Sequence, residues 1–133
     1  MPFDVAIDEA RSVVLISFHD EATAQDFTAL DALGRERLAD RQYDVVFDLS
    51  RVQKIDLATD FVARRGELPQ LYPNRQRIYV VANDDLKLLT KLYAAYQEAK
   101  GWRAPLIVTT LAEALDKLGI PAWDFRPTAL DRS

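Results

Sequence analysis

Two spacings of apolar residues alternate along this chain, and the alternation predicts its elements. Phe3, Val5 and Ile7 are separated by polar or small residues. That period of two predicts a strand over residues 3–8 with one buried face, as an edge strand has. Asp8-Glu9-Ala10-Arg11 has the composition of a turn, and residues 12–18 follow as a nearly continuous apolar run, so the two segments read as a hairpin. Thr23-x-x-Asp26 fits a capping box, in which a hydroxyl and a carboxylate satisfy the free backbone N–H groups that open a helix. Ala24, Phe27, Leu30, Leu33 and Leu38 form one stripe of that helix. Val45-Val46-Phe47, within residues 43–49, reads as a strand covered on both faces, as parallel strands usually are.

The second half repeats the alternation. Asp56 is placed to cap a helix carrying Leu57, Phe61 and Leu68, which stops near Leu68-Pro69. Residues 78–82 are another apolar strand, and Asn83-Asp84-Asp85 sets acceptors and negative charge where a helix begins. That helix shows Leu89, Leu92, Tyr93 and Tyr96 and ends near Gly101. Leu106–Val108 is a short strand, and Thr110-x-x-Glu113 is a second capping box. Leu111, Ala114, Leu115 and Leu118 then follow helical spacing until Gly119-Ile120-Pro121 stops it. The order is β-β-α-β-α-β-α-β-α. It predicts an α/β fold with a small mixed, mainly parallel sheet, right-handed crossovers and one antiparallel strand from the hairpin. Residues 1–119 read as one domain. Residues 120–133 read as a tail whose Trp123 and Phe125 pack either on the chain's own sheet or on a second subunit.

Composition narrows the chemistry. With 49% hydrophobic and 29% charged residues and only four Gly and six Pro in 133, the chain is globular rather than disordered. It has no Cys, which removes disulfides, thiolate catalysis and cysteine-ligated metals. One His removes multi-histidine metal sites within a chain. The net charge of −4 argues against nucleic acid as a partner. The charge is unevenly spread: −7 over residues 1–50, +4 over residues 51–103 and −1 thereafter. Such polarity can orient a partner or a second copy. No apolar run approaches the roughly 18 residues that span a bilayer. Met1-Pro2-Phe3-Asp4 lacks the basic and apolar regions of a signal peptide. A cytoplasmic protein without stable membrane insertion is the expectation.

Three segments, taken in order, resemble the SpoIIAA-like group of the STAS domains, also called STAS/SEC14-like. They are Glu21-Ala22-Thr23-Ala24-Gln25-Asp26-Phe27, then Tyr43-Asp44-Val45-Val46-Phe47-Asp48-Leu49-Ser50-Arg51-Val52, then residues 78–118 with Leu92-Tyr93 and Leu111-Ala112-Glu113-Ala114-Leu115. The resemblance covers about residues 3–119. It implies helices chiefly on one face of the sheet and a protein-binding regulatory role, of a bacterial type. In the anti-sigma antagonist branch a Ser at the helix after the central strand is phosphorylated, and the added charge abolishes binding. Here the matching stretch is Ile55-Asp56-Leu57-Ala58-Thr59-Asp60. Asp56 is kept, but Leu57 and Ala58 stand at the serine positions, so the standard switch is expected to be absent. Thr59, one position on, is the only hydroxyl placed to substitute, and a Thr there is more often a local cap or plain surface.

The candidate sites follow. The expected partner surface is the helix from Asp56 with the loop of residues 50–55 before it, carried by Asp56, Thr59, Asp60 and Arg64, with Arg65 beside Arg64. The partner is another protein or a second copy of the chain. The alternative is a carrier of a small molecule or lipid, with an apolar pocket near Tyr93 and Tyr96. Trp102, Leu71 and Tyr72 belong to the same aromatic set, which core packing also explains. His19 lies beside Asp20 and Glu21 without a nucleophile motif and reads as an exposed loop residue rather than a catalyst. Asp48, Asp56 and Asp60, with Asp84 and Asp85, could hold Mg²⁺ only if they converged, and helix capping accounts for Asp56, Asp84 and Asp85 without an ion. Gly34, Gly66, Gly101 and Gly119 stand alone, so there is no phosphate loop. The expectation is a non-catalytic module with no cofactor and no metal.

Overall fold

The structure, a computed structural model, describes residues 3–120 and the backbone of residues 126–127. Along the chain the elements are β1 (Phe3–Asp8), β2 (Val13–Thr23), α1 (Ala24–Arg37), β3 (Asp44–Asp56), α2 (Thr59–Gly66), β4 (Arg77–Val80), α3 (Asp84–Ala99), β5 (Leu106–Val108), α4 (Leu111–Lys117) and β6 (Arg126–Pro127). The strands form one sheet in the order β5-β4-β3-β2-β1-β6. β2 through β5 run parallel, and β1 lies antiparallel to both β2 and β6. The fold is α/β with a mostly parallel sheet.

Strand alternation divides the core. Val14, Ile16, Phe18, Val45, Phe47, Leu49, Tyr79 and Val81 face α1, α2 and α3 and meet Phe27, Leu30, Val62, Leu86 and Tyr93. Val13, Leu15, Val46, Ile78, Val80 and Val108 face the other way and meet Ala114 and Leu115 of α4. The continuous apolar runs of β2, β3 and β4 follow from this, because each strand is covered on both sides.

The local signals hold where side chains meet free backbone groups. Thr23 accepts from the Asp26 N–H and the Asp26 carboxylate accepts from the Thr23 N–H, a complete capping box. Asn83 Oδ1 accepts from the N–H groups of Asp85 and Leu86. The second box is half formed: Thr110 accepts from the Glu113 N–H, while the Glu113 carboxylate takes the Thr110 hydroxyl rather than its N–H. Gly101 and Gly119 sit at φ of 82° and 69° just past α3 and α4, where only glycine is free of strain.

Four expectations need correction. β1 is not the sheet edge, because the backbone of Arg126–Pro127 pairs with Ile7 and Ala6. Residues 50–55 are not a loop but the second half of β3. They pair in parallel with residues 19–23 of β2, from His19 opposite Arg51 to Thr23 opposite Asp56. Two register shifts give β3 an extra residue each time. Leu49, Val52 and Ile55 therefore turn inward every third residue, and the period of two that marks a strand is lost. Asp56 consequently ends a strand and caps nothing: the N-cap of α2 is Ala58, with no side-chain bond, and Leu57 and Leu68 lie outside the helix. Finally, the most buried stripe of α3 is Leu86, Thr90, Tyr93, Ala94 and Gln97; Leu89 and Leu92 are half-buried and Tyr96 is exposed. The expectation for Trp123 and Phe125 lies outside the described residues.

Candidate functional site

α2 is short, and its two ends have opposite surroundings. At its C-terminal end Gly66 lies against α3 so closely that a Cβ there would stand 2.6 Å from the Cβ of Tyr96 and 3.1 Å from the carbonyl of Tyr93. That approach carries Arg65 inward. Its guanidinium donates two parallel bonds of 3.0 Å to the carboxylate of Asp31 on α1 and a third, also 3.0 Å, to the Tyr79 hydroxyl on β4. It also lies between two aromatic faces, 4.8 Å from the Phe27 ring centre and 5.0 Å from that of Tyr93. Burial alone would lower the Arg65 pKa, but Tyr79, Asp31 and Tyr93 together raise it above its ordinary value, so it stays charged. Burial likewise pushes the Tyr79 hydroxyl well up.

A second arginine continues the network. Arg77 is buried and bonds the Tyr93 hydroxyl at 2.6 Å, Gln97 Oε1 at 3.1 Å and the Arg103 carbonyl at 2.8 Å. The Gln97 amide donates onward to the carbonyls of Gly66 and Leu68, tying α3 to the end of α2. Among the described residues no buried side-chain nitrogen or oxygen lacks a partner. These groups hold three helices together.

Beside Arg65 a cleft opens between the helices. Phe27, Leu57, Phe61, Leu86, Leu89 and Tyr93 line it, with Thr90 and Tyr79 as its other polar groups. The space that admits a water-sized atom is about 30 Å³. Ligand pockets begin at roughly 300 Å³, and one water needs about 10–15 Å³. The cleft takes Tyr93 into its wall but not Tyr96.

The N-terminal end of α2 is open. β4 pairs with β3 only as far as Asp48, and β1 pairs with β2 only as far as Phe18. Beyond those residues β2 and β3 pair as a two-stranded ribbon, with no third strand beside them among the described residues, while Ala22, Val52 and Ile55 still pack into the core. Its outer positions Arg51, Gln53, Lys54 and Asp56 are exposed, and so are Ala58, Thr59, Asp60 and Arg64 of the following segment. Asp56 ends β3 and Thr59 and Asp60 open α2 just after it, all three exposed. Arg64 lies one turn further along the same exposed side, and Arg65, its neighbour in sequence, points into the core.

The remaining candidates do not assemble. His19 is not a loop residue as expected but lies within β2, partly exposed, where it pairs with Asp4 at 2.5 Å. Asp48 is buried and accepts from the Ser50 N–H and hydroxyl at 3.0 and 2.6 Å. Asp56 and Asp60 stand at the ribbon tip instead, and Asp84 and Asp85 open α3. Among the described residues no group of three or more His, Asp or Glu could hold a metal ion. Among the described residues no helix is long and apolar enough to cross a membrane.

No protein-family model matches the chain, and neither does any curated protein.

Sequence reasoning missed the Arg65–Asp31 and Arg77–Gln97 pairs. The signal was a polar residue on an apolar stripe: Asp31 is four positions after Phe27, Arg65 four after Phe61 and Gln97 four after Tyr93. A charge at such a position is buried with a partner or not at all.

Proposed function

We propose that this chain is a non-catalytic protein-interaction module of the SpoIIAA-like STAS type that binds its partner through the ribbon tip and the start of α2. The observation that carries the reading is the exposure of Asp56, Thr59, Asp60 and Arg64 around the end of β3 and the start of α2, while the neighbouring Arg65 is locked in a structural pair with Asp31. An exposed charged tip on a rigid frame suits protein recognition, where complementary charge steers the encounter. The element order, with one antiparallel strand leading a parallel sheet and α4 alone on the far face, supports the STAS likeness. In this reading the family's phosphate switch is gone, because Leu57 is half-buried against the core and Ala58 is the helix cap.

The test is a photo-cross-linking residue installed at Thr59 and, as a control, at exposed Asp116 on α4, in the chain's own host. A single protein cross-linked from position 59 and not from position 116 supports the reading. Equal labelling from both positions, or none from 59, contradicts it.

The carrier reading stands second, favoured by the apolar cleft beside Tyr93. The cleft must widen about tenfold to enclose a drug-sized ligand. Mass spectrometry of the host-derived protein under native and denaturing conditions decides it: a small molecule present only in the native spectrum would place the carrier first.

A further inference from the structure

The two edges of the sheet are treated differently. One is covered by the chain's own β6, whereas β5 at the other edge has no strand beside it among the described residues. An open strand edge presents unpaired N–H and C=O groups, which proteins normally shield. β5 carries no charged residue, and Leu106 at its start is 38% exposed. Next to it runs a shallow groove between β5 and α3, lined on the helix by Lys91, Ala94, Ala95 and Glu98 and on the strand side by Ala104, Pro105, Leu106 and Ile107.

Those four helix positions are symmetric about the midpoint between residues 94 and 95. Reversing the helix about that point places Lys91 over Glu98 and Ala94 over Ala95. Lys91 and Glu98 are both exposed, and neither has an ion-pair partner within the chain among the described residues. The surface is therefore complementary to itself under a two-fold rotation, which is the requirement for a closed dimer.

We propose that the chain forms a homodimer through β5 and α3, about a two-fold axis perpendicular to the sheet that passes between Ala94 and Ala95. Under that rotation β5 pairs antiparallel with β5 of the second copy, and α3 packs antiparallel on its counterpart. Ala95, exposed at the crossing beside the buried Ala94, allows close approach. Lys91 of each copy meets Glu98 of the other, giving two ion pairs for one interface. Pro105 has no N–H and limits the strand pairing to residues 106–108, so the helices supply most of the contact. This surface lies away from the ribbon tip and does not depend on the reading given to that tip.

Sedimentation velocity over about 1–100 µM tests it, a range that covers micromolar association. The wild-type chain should sediment at twice its monomer mass at the upper concentrations. Lys91→Glu or Glu98→Lys alone places like charges face to face twice and should weaken association by about tenfold or more. The double variant Lys91→Glu/Glu98→Lys restores opposite charges and should recover the dimer. A monomer at every concentration, a dimer indifferent to the single reversals, or a double variant no better than either single one would each overturn the proposal. The substitutions are on exposed positions, and an unchanged far-ultraviolet circular dichroism spectrum shows that the fold is intact.

Discussion

Arg64 and Arg65 are neighbours in sequence with opposite fates. A helix turns about 100° per residue. One arginine therefore faces water with no partner among the described residues, while the other is clamped by Asp31, Tyr79 and two aromatic rings. The same contrast divides α2: its last turn is wedged against α3, and its first turn stands at the tip of a ribbon. Chemical character alone does not separate a structural charge from a recognition charge. The stripe on which the charge falls does.

The buried end should respond most strongly to mutation. Asp31→Ala leaves the Arg65 guanidinium nearly buried without its anion and should cost about 3 kcal/mol, read from urea unfolding at neutral pH. Arg65→Ala should cost a similar amount, and the double variant less than the sum of the two, because they remove the same contact. Gly66→Ala should cost about 2 kcal/mol, since the new methyl group must push the Tyr96 Cβ and α3 away. A melting temperature unchanged by Gly66→Ala would mean that the helices are not so closely seated.

A smaller effect is expected in the β1–β2 turn, and it depends on pH. Arg11 donates a 2.8 Å side-chain bond and a backbone bond to Asp8, and the side-chain bond leads in holding the Asp8 carboxyl below its ordinary value. A carboxylate with a lowered folded pKa stabilises the protein above its unfolded pKa, near 3.9, and loses that contribution as pH falls through the folded value. Asp8→Asn should therefore be less stable than wild type at neutral pH, and the gap should close in acid. A gap that widens in acid would contradict the assignment.

At the exposed end the expectation reverses. Asp60→Lys with Arg64→Glu should change stability by no more than about 0.5 kcal/mol. The same pair should weaken the complex with the protein cross-linked at position 59. Unchanged affinity in a titration would remove the tip from the interface.

These contrasts also explain what the sequence reveals. Strands β1, β4 and β5 and the caps at Thr23, Asn83 and Thr110 were readable, because each depends on residues within a few positions. The second half of β3 was not. Its residues look polar and lack alternation, and their strand state depends on β2, some thirty residues away, and on the two bulges in the pairing. Asp56 looked like a cap for the same reason: a short polar residue before a helix is a cap only if the chain has already left the sheet. The candidate surface at Asp56, Thr59, Asp60 and Arg64 was readable as residues, but its exposure followed from the ribbon. The Arg65 network joins residues more than thirty positions apart, and no local pattern encodes such a meeting.

Hydrogen exchange followed by mass spectrometry, on the chain alone and with the purified cross-linked protein, tests the central claim most directly. The account predicts added protection in residues 51–60 and none in residues 111–117 of α4. Protection gained on α4, with residues 51–60 exchanging as before, would contradict it.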